Sequence, residues 1–229
     1  MIYLIPSFLA DEAVETIPPY VLEAVKNCQV IFAENERTAR RFLRSISKGI
    51  VIDDFEWYTI HKAELEQVNN FRQKVKEEKN IAIISEAGCP GVADPGQILI
   101  YEAQKMNVLV KPLVGPNSIL LALMASGLNG QHFSFEGYLP IDNLDRNKKI
   151  KQLEEESVKN NCTQIFIETP YRNNKLLETI LQNCKLSTRL CIAVELTSAN
   201  EWIKTKTIAE WKKENTDLHK KPVIFLLHG

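Results

Sequence analysis

The densest chemistry in this 229-residue chain lies in Ser85-Glu-Ala-Gly-Cys-Pro-Gly-Val-Ala-Asp-Pro-Gly96, which holds three glycines and two prolines in twelve residues. Seven of the nine glycines fall between positions 88 and 137. Glycine lets a backbone approach a ligand closely, so peptide groups can act as hydrogen-bond partners. A loop that follows an apolar strand and precedes a helix sits where open α/β sheets bind ligands. A plain connector needs fewer special backbone positions, so the stretch reads as a binding loop. Its spacing is neither G-x-G-x-x-G nor a P-loop, and no glycine-rich loop follows the first strand, which argues against NAD and FAD.

Around this loop stand groups suited to proton transfer or anion binding. Glu34 closes a predicted strand; it would orient or deprotonate an acceptor, or pair with Arg37 or Arg40. Glu86 lies inside the loop and is read as orienting a ligand. Arg37, Arg40, Arg41 and Arg44 recur at i, i+3, i+4 and i+7, on one helix face. They would grip phosphates, or form a solvated face; Arg37, next to Glu34, is the one singled out for acceptor chemistry. Arg146, Lys148, Lys149 and Lys151 lie beside acidic residues and read as helix surface. Cys89 has no evident base beside it and reads as a small packing residue. Five cysteines without a C-x-x-C pair, and histidines scattered at 61, 132, 219 and 228, predict neither a disulfide framework nor a metal site.

The elements that must position these groups alternate from the first residue. Strands are predicted at 2–5, 30–34, 81–85 and 108–110, with helices at 18–27, 36–44, 64–78 and 97–106. The third helix carries Leu65, Val68, Phe71 and Val75 along one stripe. Repeated β-α-β units imply a mostly parallel sheet with helices on both faces. The second half follows the same rhythm, with helices at 117–126 and 144–159, strands at 133–138, 164–168 and 190–195, and a further helix between the last two. Segments 201–207 and 223–227 are expected to pair antiparallel at one edge. Two α/β lobes follow, residues 1–112 and 113–229, with a hinge near Lys111 to Pro116.

Composition is that of a globular protein: 45% hydrophobic, 25% charged and a net charge of −1. No apolar run nears 20 residues, and the first residues lack a signal peptide's basic start, so a cytoplasmic protein without a membrane span is expected. Near-neutral charge removes one argument for nucleic acid without excluding it.

The loop from Ser85 to Gly96 resembles the S-D-A-G-T-P-G-I-S-D-P-G signature of the tetrapyrrole methylase superfamily. The resemblance continues, in family order, through Ala33-Glu-Asn35 with Thr38-Ala-Arg40 and Val114-Gly-Pro-Asn-Ser118. It runs on through Leu123-Met-Ala-Ser-Gly-Leu128, Phe133-Ser-Phe-Glu-Gly-Tyr-Leu-Pro140, Ile167-Glu-Thr-Pro-Tyr-Arg172 and Glu195-Leu-Thr197. It is strongest to a branch that methylates a cytidine 2′-hydroxyl of ribosomal RNA. It implies an S-adenosylmethionine-dependent methyltransferase of two α/β lobes, with the donor in the cleft between them, and a homodimer. Carried over by position, the donor site draws on Pro6, Ser85, Glu86, Ala87, Gly88, Val92, Asn117 and Ser118. Ile167, Glu168, Thr169, Glu195 and Leu196 would close its far side. The chain departs from the pattern in three places. The first loop is Ile5-Pro-Ser-Phe-Leu-Ala10 without glycine, Asn35 replaces an acid, and Tyr171 replaces histidine. The chain also ends at Gly229, where many ribosomal members continue. The acceptor readings are thus ribosomal RNA, a tetrapyrrole or other small molecule, or a donor-binding relative without catalysis.

Overall fold

The computed structural model describes residues 1–60 and 64–229 and divides the chain into two units, Met1–Asn117 and Ser118–Gly229. His61, one of the four scattered histidines, lies outside the described residues.

In the first unit β1 (Ile2–Ile5), β2 (Val30–Ala33), β3 (Glu56–Thr59), β4 (Ile81–Ile84) and β5 (Val110–Pro112) form one parallel sheet in the order β3-β2-β4-β1-β5. Its side chains alternate between two apolar layers. Tyr3, Ile5, Ile31, Ala33, Ala82 and Ile84 face α1 (Pro19–Lys26) and α2 (Glu36–Ile46), whose Val21, Val25, Phe42 and Leu43 are buried against them. Ile2, Val30, Phe32, Ile81 and Ile83 face α3 (Glu64–Lys76) and α4 (Gln97–Lys105) through Phe71, Leu99 and Ala103. Of the predicted α3 stripe Phe71 is buried, but Leu65 is 74% exposed in the first turn. The last strand falls at 110–112 rather than 108–110, pairing Ile2 with Val110 and Leu4 with Pro112.

The second unit is a mixed sheet, not the mostly parallel one expected. Its strands are β6 (Phe133–Tyr138), β7 (Thr163–Ile167), β8 (Arg189–Val194), β9 (Trp202–Thr207) and β10 (Val223–His228), in the order β6-β7-β10-β8-β9. Only β6 and β7 run parallel; β10 is antiparallel to both β7 and β8. The expected pairing of 201–207 with 223–227 does not form. All six residues of β10 are buried, so this strand needs neighbours on both sides, whereas half-exposed β9 accepts the edge. On one face α6 (Asn143–Asn160) and α7 (Asn173–Asn183) bury Ile150, Leu153, Leu176 and Ile180 against Phe166 and Phe225. Helix α5 (Ser118–Ser126) lies against β8, β9 and β10, and a short α8 (Ile208–Trp211) follows β9. Arg146, read as solvated, is 4% exposed: its guanidinium donates to the Ile141 carbonyl at 3.0 Å and to the Asn143 side chain. A helical-surface pattern cannot reveal a cation folded back over its own N-terminus.

Candidate functional site

A parallel sheet delivers the carboxyl ends of all its strands to one edge, and in the first unit this edge gathers the loops after β1, β2, β4 and β5. The loop after β1 is tied to the one after β4 by a two-way backbone pair: the Ser7 N–H donates to the Gly88 carbonyl at 2.9 Å, and the Gly88 N–H returns the bond at 3.0 Å. The Ser7 hydroxyl also donates to the Ser85 carbonyl at 2.9 Å. Gly88 sits at φ +76°, where a side chain is strained, and its added Cβ would lie 3.4 Å from Leu9 and 3.5 Å from the Pro116 carbonyl. Across the edge, a Cβ on Gly115 would collide with the Pro6 ring. Gly115 thus leaves the room into which the Pro6 ring of the first loop packs.

The predicted residues of this unit therefore meet. Pro6, Ser85, Glu86, Ala87, Gly88 and Val92 share the edge with Asn117, the last residue of the unit. Ser85 is buried, whereas Glu86, Ala87 and Val92 are exposed. Cys89 lies with Sγ 3.6 Å from the Pro116 carbonyl, and burial raises its thiol pKa, as suits a packing residue rather than a nucleophile.

Glu34 directly follows β2, and one of its carboxylate oxygens accepts the Glu86 N–H at 3.0 Å. The Thr38 hydroxyl donates to the Glu86 carboxylate at 3.3 Å. Asp94 is a third acid here, and sequence reasoning misses it. Burial, with Glu34 and Glu86 adding repulsion, pushes its carboxyl up to about 7. Asn35, the residue in place of an acid, is the N-cap of α2: its side chain accepts from the N–H groups of Arg37 at 3.0 Å and Thr38 at 3.4 Å.

Two recesses open beside these groups. One of about 380 Å³ is lined by Glu34, Glu86, Thr59 and Arg37, with Asn35 and Glu36. The other, about 800 Å³, runs along α2 from Asn35 to Arg44 and carries all four predicted arginines. Asn35, Glu36 and Arg37 belong to both walls.

In the second unit, β7 and β8 both run antiparallel to β10 and end at its first residues, which brings Ile167–Thr169 and Glu195–Leu196 to one edge. Glu168 is committed within the protein: it accepts from the Arg172 guanidinium at 2.6 Å and from the Thr169 N–H at 2.6 Å. Glu195 and Thr197 adopt φ of +49° and +69°, and the buried Thr197 hydroxyl has no partner among the described residues. Such strain and an orphaned polar atom are features that cluster at ligand sites. Ser118 opens α5. Tyr171, standing where histidine is usual, is 69% exposed and meets His219 edge to face.

A methyl donor carrying a sulfonium and an adenosine suits the chemistry of the first unit's edge. Ala87 and Val92 present apolar surface there, and Glu86 presents an exposed carboxylate toward positive charge. Among the described residues, no group of three histidine, cysteine or acidic side chains is placed to hold a metal ion.

Comparison with known proteins adds the following. Residues 13–212 match the family described as Tetrapyrrole (Corrin/Porphyrin) Methylases. The chain is 30% identical over its whole length to Ribosomal RNA small subunit methyltransferase I of Buchnera aphidicola subsp. Acyrthosiphon pisum, covering 79% of that protein. It is 29% identical to the protein of that name from Escherichia coli O157:H7, over all of this chain and 77% of the relative. Among solved structures, the methyltransferase CobJ superposes with a TM-score of 0.65 at 15% identity, covering 100% of this chain and 93% of that one. Uroporphyrin-III C-methyl transferase from Thermus thermophilus, complexed with S-adenyl homocysteine, superposes at 0.57 with 13% identity, over 99% and 96% of the two chains. At those identities the structures show a shared fold.

Proposed function

This chain belongs to the tetrapyrrole (corrin/porphyrin) methylases and is an S-adenosylmethionine-dependent methyltransferase; from that premise we propose that its acceptor is a ribose 2′-hydroxyl of ribosomal RNA. One observation carries the acceptor reading: the recess holding Glu34 and Glu86 shares a wall with a groove lined by four arginines. Relatives that match the chain end to end are named for ribosomal RNA, which supports the same reading.

The donor supplies a methyl group on a positively charged sulfur. The residues proposed to hold it are those of the strand-end clusters, Pro6, Ser85 to Gly88, Val92 and Asn117 on the first unit and Ser118, Ile167 to Thr169 and Glu195 to Leu196 on the second. Displacement at a methyl carbon is governed by alignment, so rigid loops locked by the Ser7–Gly88 pair contribute mainly by positioning. A ribose hydroxyl is a poor nucleophile at neutral pH, and Glu34 is the residue assigned to orient it or take its proton. Arg37, on the wall common to both recesses, is assigned to hold the acceptor close to Glu34.

The finer expectations complete this reading. Leu120 and Met124, one turn apart on α5, are 49% and 79% exposed, a patch suited to a second copy in a homodimer. A ribosomal RNA substrate and five free cysteines suit the cytoplasm. Among the described residues, no helix is long and apolar enough to cross a membrane.

The experiment is incubation with methyl-labelled S-adenosylmethionine and separated cellular fractions. Label in ribosomal RNA supports the reading. Label in the tetrapyrrole or other small-molecule fraction replaces it, and donor binding without transfer to any fraction identifies a relative that has lost catalysis.

A further inference from the structure

The four arginines of α2 are equivalent by sequence spacing but not in the structure. Arg40 is spoken for. Its guanidinium bonds Glu36 at 2.7 Å, reaches Asp53 at 3.5 Å and lies 4.9 Å over the Trp57 ring. A cation held by two carboxylates and an aromatic face has little left to offer a ligand. Arg37, Arg41 and Arg44 are exposed. Among the described residues, the side chains of Arg37 and Arg44 have no hydrogen-bond or ion-pair partner, and Arg41 has one, Asp11 at 3.0 Å. Both members of that pair are more than 60% exposed (65% and 71%), so it holds by at most about 1 kcal/mol and yields easily to a competing anion.

We propose that Arg37, Arg41 and Arg44 form a row that binds the phosphodiester backbone of RNA, with Arg40 serving only to brace α2 against β3. Positions 37 and 44 stand about 10 Å apart along the helix, with Arg41 between them, so three forks face one groove. Guanidinium forks match phosphate oxygens in planar pairs, which lysine would not do. The chain carries a net charge of −1, so this is a local concentration of cations against a neutral background. The row starts at Arg37, on the wall shared with the Glu34 recess, so a strand lying along it passes Glu34. This inference rests on the RNA reading above, and the experiment separates the two.

The measurement is fluorescence anisotropy of a labelled, mixed-sequence single-stranded RNA, titrated at several salt concentrations, with donor-dependent methylation of ribosomal RNA followed in parallel. Removing one arginine–phosphate pair should flatten the slope of log K against log salt by roughly 0.7, so the double variant Arg37→Ala/Arg44→Ala should flatten it by roughly 1.4. Asp11→Asn frees Arg41 and should tighten binding. Arg40→Gln should keep the wild-type slope while lowering the thermal midpoint. A double variant with the wild-type slope, or Arg40→Gln flattening it as much as loss of Arg37, overturns the assignment. If the double variant binds and methylates RNA normally, the row is wrong and the RNA reading stands. If RNA binds through the row yet never accepts a methyl group, the row stands and the acceptor reading falls.

Discussion

Asp94 shows how a loop sets the chemistry of one residue. Burial comes first and the negative charges of Glu34 and Glu86 second, and together they raise its carboxyl from 3.8 to about 7. The native state then holds the proton more tightly than the unfolded chain does. This group's contribution to stability is therefore full below its ordinary value of 3.8 and is lost as pH rises through about 7. Asp94→Asn should leave stability little changed at acid pH and raise it, relative to wild type, at pH 8. Urea unfolding at the two values checks this, and an equal difference at both would contradict it. Glu34→Gln belongs to the same scale. It should slow methyl transfer by roughly 10²- to 10⁴-fold, with donor and RNA affinities nearly intact, as calorimetry and single-turnover rates would show. Glu34 and Glu86 stand out in the sequence because each follows an apolar strand. The shift at Asp94, the capping by Asn35 and the bracing of Arg40 do not, because each depends on neighbours that only folding brings close.

At the scale of elements, apolar runs and glycine loops locate most strands and helices, and the first sheet's parallel order follows from its β-α-β rhythm. Periodicity carries no pairing information, and there the second sheet departs from expectation. Segment 223–227 reads as an edge strand, yet the six buried residues of Val223–His228 lie between β7 and β8. Strand β3, only four residues of partly exposed Glu-Trp-Tyr-Thr, leaves too short a pattern to find. The central place of β10 has a measurable consequence. Phe225 is fully buried and stacks on Phe166 at 5.9 Å, so Phe225→Ala should cost about 3–5 kcal/mol in equilibrium unfolding. Ile203→Ala on edge strand β9, where the side chain is half-buried, should cost clearly less. Equal losses would contradict the strand order.

In the whole molecule, the donor site proposed at the strand ends and the arginine row proposed on α2 are separate surfaces that can be tested one at a time. S-adenosylmethionine at about a hundred times its dissociation constant should stabilise the protein by roughly 2.7 kcal/mol. Gly88→Val should abolish that gain, because valine at φ +76° is strained and meets Leu9; the fold itself should lose only about 1–3 kcal/mol. Parallel melting curves with and without donor separate the two effects, and a variant that keeps the full gain would move the donor away from this loop. The central claim, methyl transfer to a ribose hydroxyl, is tested most directly by methylating small-subunit ribosomal RNA with labelled donor, digesting it to nucleosides and identifying the labelled one. The expected result is label recovered in a 2′-O-methylated nucleoside. Label on a base, or an unlabelled RNA from enzyme that demonstrably binds the donor, would contradict it.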